Sequence, residues 1–177
     1  MSDGNPVVAI YPGSYDPVTF GHLDVIERAA QIFDRVVVGV VRDAQHKGRT
    51  MFTVDERVAF LRDALQGQEN VEVDIFSELV VEFARRHGAR AMVKGLRVVS
   101  DFEWEFQMNH LNRLLAPEIE TVYVMARPQY SFVSSSGVKE IARFGGRVDE
   151  LVPGSVARRF AELYSSATPG APLNPQE

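Results

Sequence analysis

Within twelve residues, Tyr11-Pro12-Gly13-Ser14-Tyr15-Asp16-Pro17-Val18-Thr19-Phe20-Gly21-His22, the chain places two glycines, two aliphatic hydroxyls and a histidine directly ahead of a helical pattern. Glycine lets backbone come close to a bound group, and the first turn of a helix offers unpaired N–H groups and a positive dipole end to phosphate. Ser14 and Thr19 add hydroxyl donors, and His22 stands in that first turn. The same residues also suit a rigid turn in which Thr19 caps the helix and His22 is merely exposed. The spacing is neither G-x-x-x-x-G-K-[ST] nor G-x-G-x-x-G, so this loop is not a P-loop or a dinucleotide fingerprint.

Three further stretches carry charge or hydroxyls. In Val93-Lys94-Gly95-Leu96-Arg97, followed by Asp101 and Glu105, two cations three residues apart leave a strand end. They can hold two phosphates, or one can bind while the other pairs with Asp101 or Glu105; a surface salt bridge is the plainer reading. Tyr130-Ser131-Phe132-Val133-Ser134-Ser135-Ser136 opens a helix with successive serines, which equips it for a triphosphate or for a redundant N-cap. The loop Arg42 to Thr50 holds Arg42, His46, Lys47 and Arg49, either a phosphate clamp or a basic surface loop. Leu79, Val80 and Trp104 read first as packing. Nothing here looks like an activated nucleophile: there is no cysteine, and Ser14 has no adjacent base.

The elements that must position these residues alternate. Strands are expected at Val7–Tyr11, Arg35–Val41, Val71–Ile75, Ala91–Val93 and Thr121–Met125, with Arg35–Val41 apolar enough to be covered on both faces. Helices are expected over His22–Phe33, after a Thr53/Glu56 capping box, after a Ser77 cap, after a Ser100/Glu103 capping box, and over Ser135–Phe144 and Ser155–Tyr164. Strand–helix alternation implies βαβ units and a parallel sheet with helices on both faces. In such sheets ligands sit beyond the carboxyl ends of the strands, where the strand order reverses.

At 177 residues the chain suits one domain, expected over 1–165, with a disordered tail at 166–177 rich in Ser, Pro, Gly and Ala. A net charge of −5 argues against general nucleic-acid binding, so an anion site must be a local concentration of donors. The absence of cysteine excludes disulfides and thiolate metal sites, and fits a cytoplasmic setting. No apolar run reaches membrane-span length, and the start lacks a signal-peptide core.

Taken in order, the motifs resemble a known family. Thr19-Phe20-Gly21-His22 has the T-x-G-H form of the nucleotidyltransferase superfamily. The longer run from Tyr11 is similar to the opening of bacterial phosphopantetheine adenylyltransferases, which commonly carry Thr where Ser14 stands. Lys94 to Glu105 fits [RK]-G-L-R-x-x-x-D-[FY]-E-x-E; Lys94 keeps the charge of the usual Arg but not its bidentate fork. Val133 to Glu140 resembles I-S-S-S-x-V-[KR]-E, with Val133 for Ile. The resemblance spans about Val7 to Tyr164.

It implies a doubly wound, Rossmann-like α/β fold with a five-stranded parallel sheet in the order 3-2-1-4-5. It also implies adenylyl transfer from ATP to 4′-phosphopantetheine, giving dephospho-coenzyme A and pyrophosphate, with Mg2+, in a cytoplasmic homohexamer that engages neither nucleic acid nor membrane. His22 and Lys47 would be catalytic. Ser14, Lys47, Val80 and Lys94 would hold the acceptor. Ser14, Tyr15, His22, Gly95, Leu96, Arg97, Glu105, Tyr130, Ser131, Phe132, Val133, Ser134, Ser135 and Ser136 would bind ATP. No protein metal ligand is assigned, and Arg49 rivals Lys47 as the loop cation. The acceptor phosphate would attack the α-phosphorus in line, which needs only positioning and charge stabilisation. Two alternatives stay open: a related transferase using CTP or a nicotinate or nicotinamide mononucleotide, and a non-catalytic nucleotide-binding module.

Overall fold

A computed structural model describes residues 6–43 and 50–165; His46, Lys47, Arg49 and the tail at 166–177 lie outside the described residues. The chain runs β1 (Val8–Gly13), α1 (Phe20–Ile32), β2 (Arg35–Val41), α2 (Val54–Ala64), β3 (Val71–Phe76), α3 (Val80–Arg86), β4 (Ala91–Leu96), α4 (Val99–Leu115), β5 (Glu120–Met125), α5 (Ser135–Arg143) and α6 (Gly154–Ser165). The five strands are parallel and lie in the order β3-β2-β1-β4-β5, the expected doubly wound arrangement.

Alternation along the central strands explains why helices cover both faces. Ala9, Tyr11, Val36, Val38 and Val40 enter one core with α1, α2, α5 and α6. Val8, Ile10 and Val37 enter the other, where α3 supplies Val81, Phe83 and Ala84. A strand buried on both faces must be apolar at nearly every position, as Arg35–Val41 is. Gly39 breaks that run because a β-carbon there would stand 2.5 Å from the Phe83 ring.

Several boundaries move from their expected places. β4 does not stop at Val93; it pairs with β5 as far as Leu96↔Met125, which makes Lys94 and Gly95 strand residues. Neither Ser77 nor Ser100 stands at the N-cap position of its helix. α3 follows Leu79 and α4 follows Val98, both without a side-chain cap. In the turn before α4 the Asp101 carboxylate takes the Arg97 amide at 3.2 Å. The Thr53/Glu56 capping box forms as expected, with both reciprocal bonds.

The sheet is uneven in one respect. β1 and β2 keep register over six residue pairs, Val8↔Arg35 to Gly13↔Val40. β1 and β4 keep it only at Ala9↔Ala91 and Ile10↔Met92. Beyond Ile10 and Met92 the two strands part, and strand order reverses at this same place.

Candidate active site

That parting opens a cavity of about 420 Å3. Its walls come from the three motif-bearing segments: Pro12 to Tyr15 with Thr19, Gly21 and His22; Lys94, Gly95 and Arg97 with Asp101 and Glu105; and Val133 to Ser136. Of the expected site residues, Ser14, Tyr15, His22, Lys94, Gly95, Arg97, Glu105, Val133, Ser134, Ser135 and Ser136 are brought together here. Leu96, Tyr130, Ser131 and Phe132 stand beside the cavity without lining it; Leu96 turns into the core and Phe132 out to solvent. Val80 packs at the edge of the α3-side core and does not line it.

The turn into α1 is locked from both ends. Thr19 is the N-cap, and its hydroxyl accepts the His22 amide at 3.4 Å. In return the Thr19 amide donates to His22 Nδ1 at 3.1 Å, with the hydroxyl 3.0 Å from the same nitrogen. An amide N–H can only donate, so Nδ1 is an acceptor and a neutral ring carries its proton on Nε2. Thr19 thus both caps the helix and fixes the tautomer of a cavity-lining histidine; the two sequence readings of this turn are compatible. The Tyr15 ring packs edge-on against His22, with centroids 5.2 Å apart. Tyr15 holds a left-handed backbone (φ of 48°) that few non-glycine residues adopt, secured by its hydroxyl donating to Tyr11 O at 2.7 Å.

Both cations at the end of β4 have acidic partners. Lys94 Nζ lies 3.1 Å from Glu105. Arg97 pairs with Asp101 through Nε and Nη2, and its Nη1 donates to Val133 O at 3.2 Å. Arg97 therefore ties the turn after β4 to the segment entering α5. At α5 the first of the three successive serines does the capping. Ser134 Oγ accepts the Gly137 amide at 3.0 Å, while Ser135 Oγ donates to Pro17 O at 2.8 Å, docking this helix start on the loop after β1.

Beneath the cavity lie two buried charged residues that sequence reading did not single out. Asp16 accepts the amides of Met51 (3.0 Å) and Phe52 (2.9 Å) and pairs with Lys139 of α5 at 2.7 Å. Arg57 of α2, 1% exposed, donates to Ser14 O (2.7 Å), Val41 O (2.9 Å) and Arg42 O (3.0 Å). The loop bearing Ser14 is thus fixed by α2 and α5, not by its own sequence alone. A signal for Arg57 exists: Val54, Arg57, Val58 and Leu61 follow i, i+3, i+4, i+7 spacing, which puts one charge on the buried stripe. No comparable pattern marks Asp16.

Comparison with known proteins agrees with this geometry. Residues 10–141 match the cytidylyltransferase-like family. The phosphopantetheine adenylyltransferase of Heliobacterium modesticaldum is 52% identical over 163 residues, 92% of this chain and 96% of that one. Those of Desulforudis audaxviator (53% over 157 residues, 89% and 95%) and Deinococcus radiodurans (50% over 160 residues, 88% and 95%) are equally similar. The chain belongs to the phosphopantetheine adenylyltransferase family. The motifs that carried the resemblance are the three that meet in the cavity, so membership in the phosphopantetheine adenylyltransferases and the layout of the site rest on the same residues. The cavity adds others, Tyr11, Thr19, Asp101 and Trp104, to those expected of a phosphopantetheine adenylyltransferase.

Proposed function

We propose that the chain transfers the adenylyl group of ATP to 4′-phosphopantetheine, giving dephospho-coenzyme A and pyrophosphate by direct in-line attack. The observation that carries this reading is the convergence of three anion-handling segments on one cavity at the switch point between β1 and β4. Ser14 and Lys94 hold the acceptor phosphate on one side. Gly95, Arg97, Glu105 and the start of α5 hold ATP on the other, with the first-turn amides of α5 turned to its phosphates. An oxygen of the acceptor phosphate attacks the α-phosphorus, the bond to the bridging oxygen breaks, and pyrophosphate leaves. Charge builds on the α-phosphoryl oxygens, and the fixed Nε2–H of His22 is a preorganised donor for it. Lys47 is assigned to the same charge, and Val80 to the pantetheine arm. No protein nucleophile enters, because the acceptor brings its own.

Among the described residues no group of three or more acids or histidines could hold a metal. Magnesium would enter with ATP and would supply neutralisation of phosphate charge. The proposed assembly is a homohexamer in the cytoplasm. Association is supported by α4, where Val99 (78%), Leu111 (54%) and Leu114 (81%) are exposed in the single chain; a helix apolar on several sides needs cover. No helix among the described residues is long and apolar enough to cross a membrane.

The test is to offer the purified protein ATP or CTP with 4′-phosphopantetheine or with nicotinate mononucleotide, and to measure pyrophosphate and the adenylylated product. Product from ATP and 4′-phosphopantetheine alone is expected. Product only from another pair, or tight ATP binding with no product from any, would overturn the reading.

A further inference from the structure

Tyr11 is the first residue of β1 past its last register pair with β4, so it stands where the two strands part. Its ring lines the cavity, yet the residue is 7% exposed. The carbonyl of Tyr11 is used by Tyr15 and the ring packs edge-on against that of Tyr15. Its hydroxyl makes no hydrogen bond with any described residue; its neighbours act on it through burial and through the charges of Glu105, Arg97 and Asp24. Buried hydroxyls are nearly always hydrogen-bonded, so one facing a cavity takes its partner from whatever fills that cavity.

The space around this hydroxyl is reserved. A β-carbon on Gly95 would stand 3.0 Å from it and 3.2 Å from a Val25 methyl. Glycine between the two cations is therefore needed for the tyrosine to reach across from β1 to β4. Burial, with Glu105 adding to it, pushes the phenol well above its ordinary range, so the group stays a neutral O–H at any working pH.

We infer that the Tyr11 hydroxyl is a ligand-binding group of the nucleotide site, donating a hydrogen bond to an oxygen of the bound nucleotide between Gly95 and Glu105. The assignment rests on the proposed reaction for its ligand. As a neutral donor it supplies direction without adding to the cationic charge of Lys94 and Arg97.

Tyr11→Phe removes the oxygen and nothing else. The ligand-free protein should melt at the parent temperature or slightly above, because no bond within the protein is lost. Its calorimetric affinity for ATP with magnesium should fall by more than about threefold, and by about fivefold at the ordinary worth of a hydrogen bond. An affinity within about threefold of the parent, with or without a fall in melting temperature, would overturn the inference. So would unchanged affinity with slowed turnover, since that places the contact on the acceptor or the transition state. If the parent binds ATP but releases no pyrophosphate with 4′-phosphopantetheine, the proposed reaction fails while the affinity comparison still decides the role of Tyr11.

Discussion

Thr19 and His22 hold each other through three contacts between 3.0 and 3.4 Å, so the proposed donor His22 also belongs to the cap of α1. His22→Ala removes the Nε2 donor and half of the capping arrangement, while the hydroxyl cap from Thr19 survives. Turnover should fall about 10²–10³-fold, as for loss of a preorganised transition-state donor, with ATP affinity and melting temperature nearly unchanged. Steady-state rates within a few-fold of the parent would return His22 to a capping role. The T-x-G-H spacing made this pair legible in the sequence, but not which nitrogen carries the proton, because that depends on an amide three residues back. The pairing of Lys94 with Glu105 rather than Asp101 was equally hidden. It is settled by β4 running on to Leu96, which is a property of the neighbouring strand.

Order, type and approximate extent of all five strands and six longer helices could be read from apolar periodicity, because the sheet is covered on both faces and the helices on one. Helix starts were read correctly where the capping residue is local, as at Thr53 with Glu56. The starts of α3 and α4 carry no side-chain cap, so no local capping signal marks them. That Arg57 is buried was legible from its place on the apolar stripe of α2, but not what it holds, since the carbonyls it reaches lie fifteen to forty-three residues away. Arg57→Met should remove a charged donor from three partly buried carbonyls and cost about 1.5–3 kcal/mol in denaturant unfolding. Turnover should drop with it, because Ser14 loses its anchor; parent-like activity in the folded variant would disconnect α2 from the site. At the far side of α2, Glu56 joins its own cap to Arg159 of α6 at 2.8 Å. Burial pushes this carboxyl up, but hydrogen bonds from the Thr53 amide and Arg159 outweigh it and hold it below its ordinary value. A carboxyl lowered on folding stabilises above its unfolded pKa and loses that contribution as pH falls through the folded value. Glu56→Gln should therefore be less stable than the parent at neutral pH, and the difference should vanish in acid, below the ordinary carboxylate range. A gap that is the same at both pH values would mean that the charge plays no part.

For the molecule as a whole, α4 is the element that a single chain leaves unfinished. Leu114→Glu puts a charge on its most exposed apolar position, 81% exposed, without touching the cavity. Light scattering should show a smaller particle than the parent, with circular dichroism of the fold retained; an unchanged mass would place the assembly surface elsewhere. The short register between β1 and β4 has a different consequence. With two paired positions there against six between β1 and β2, the sheet has a seam, and the seam runs into the cavity. A ligand with one end on Ser14 and the other on the strand carrying Gly95 acts as a strut across it. Amide hydrogen exchange at Ile10 to Gly13 and Met92 to Leu96 should therefore slow together when both ends are occupied, and much less when only one is.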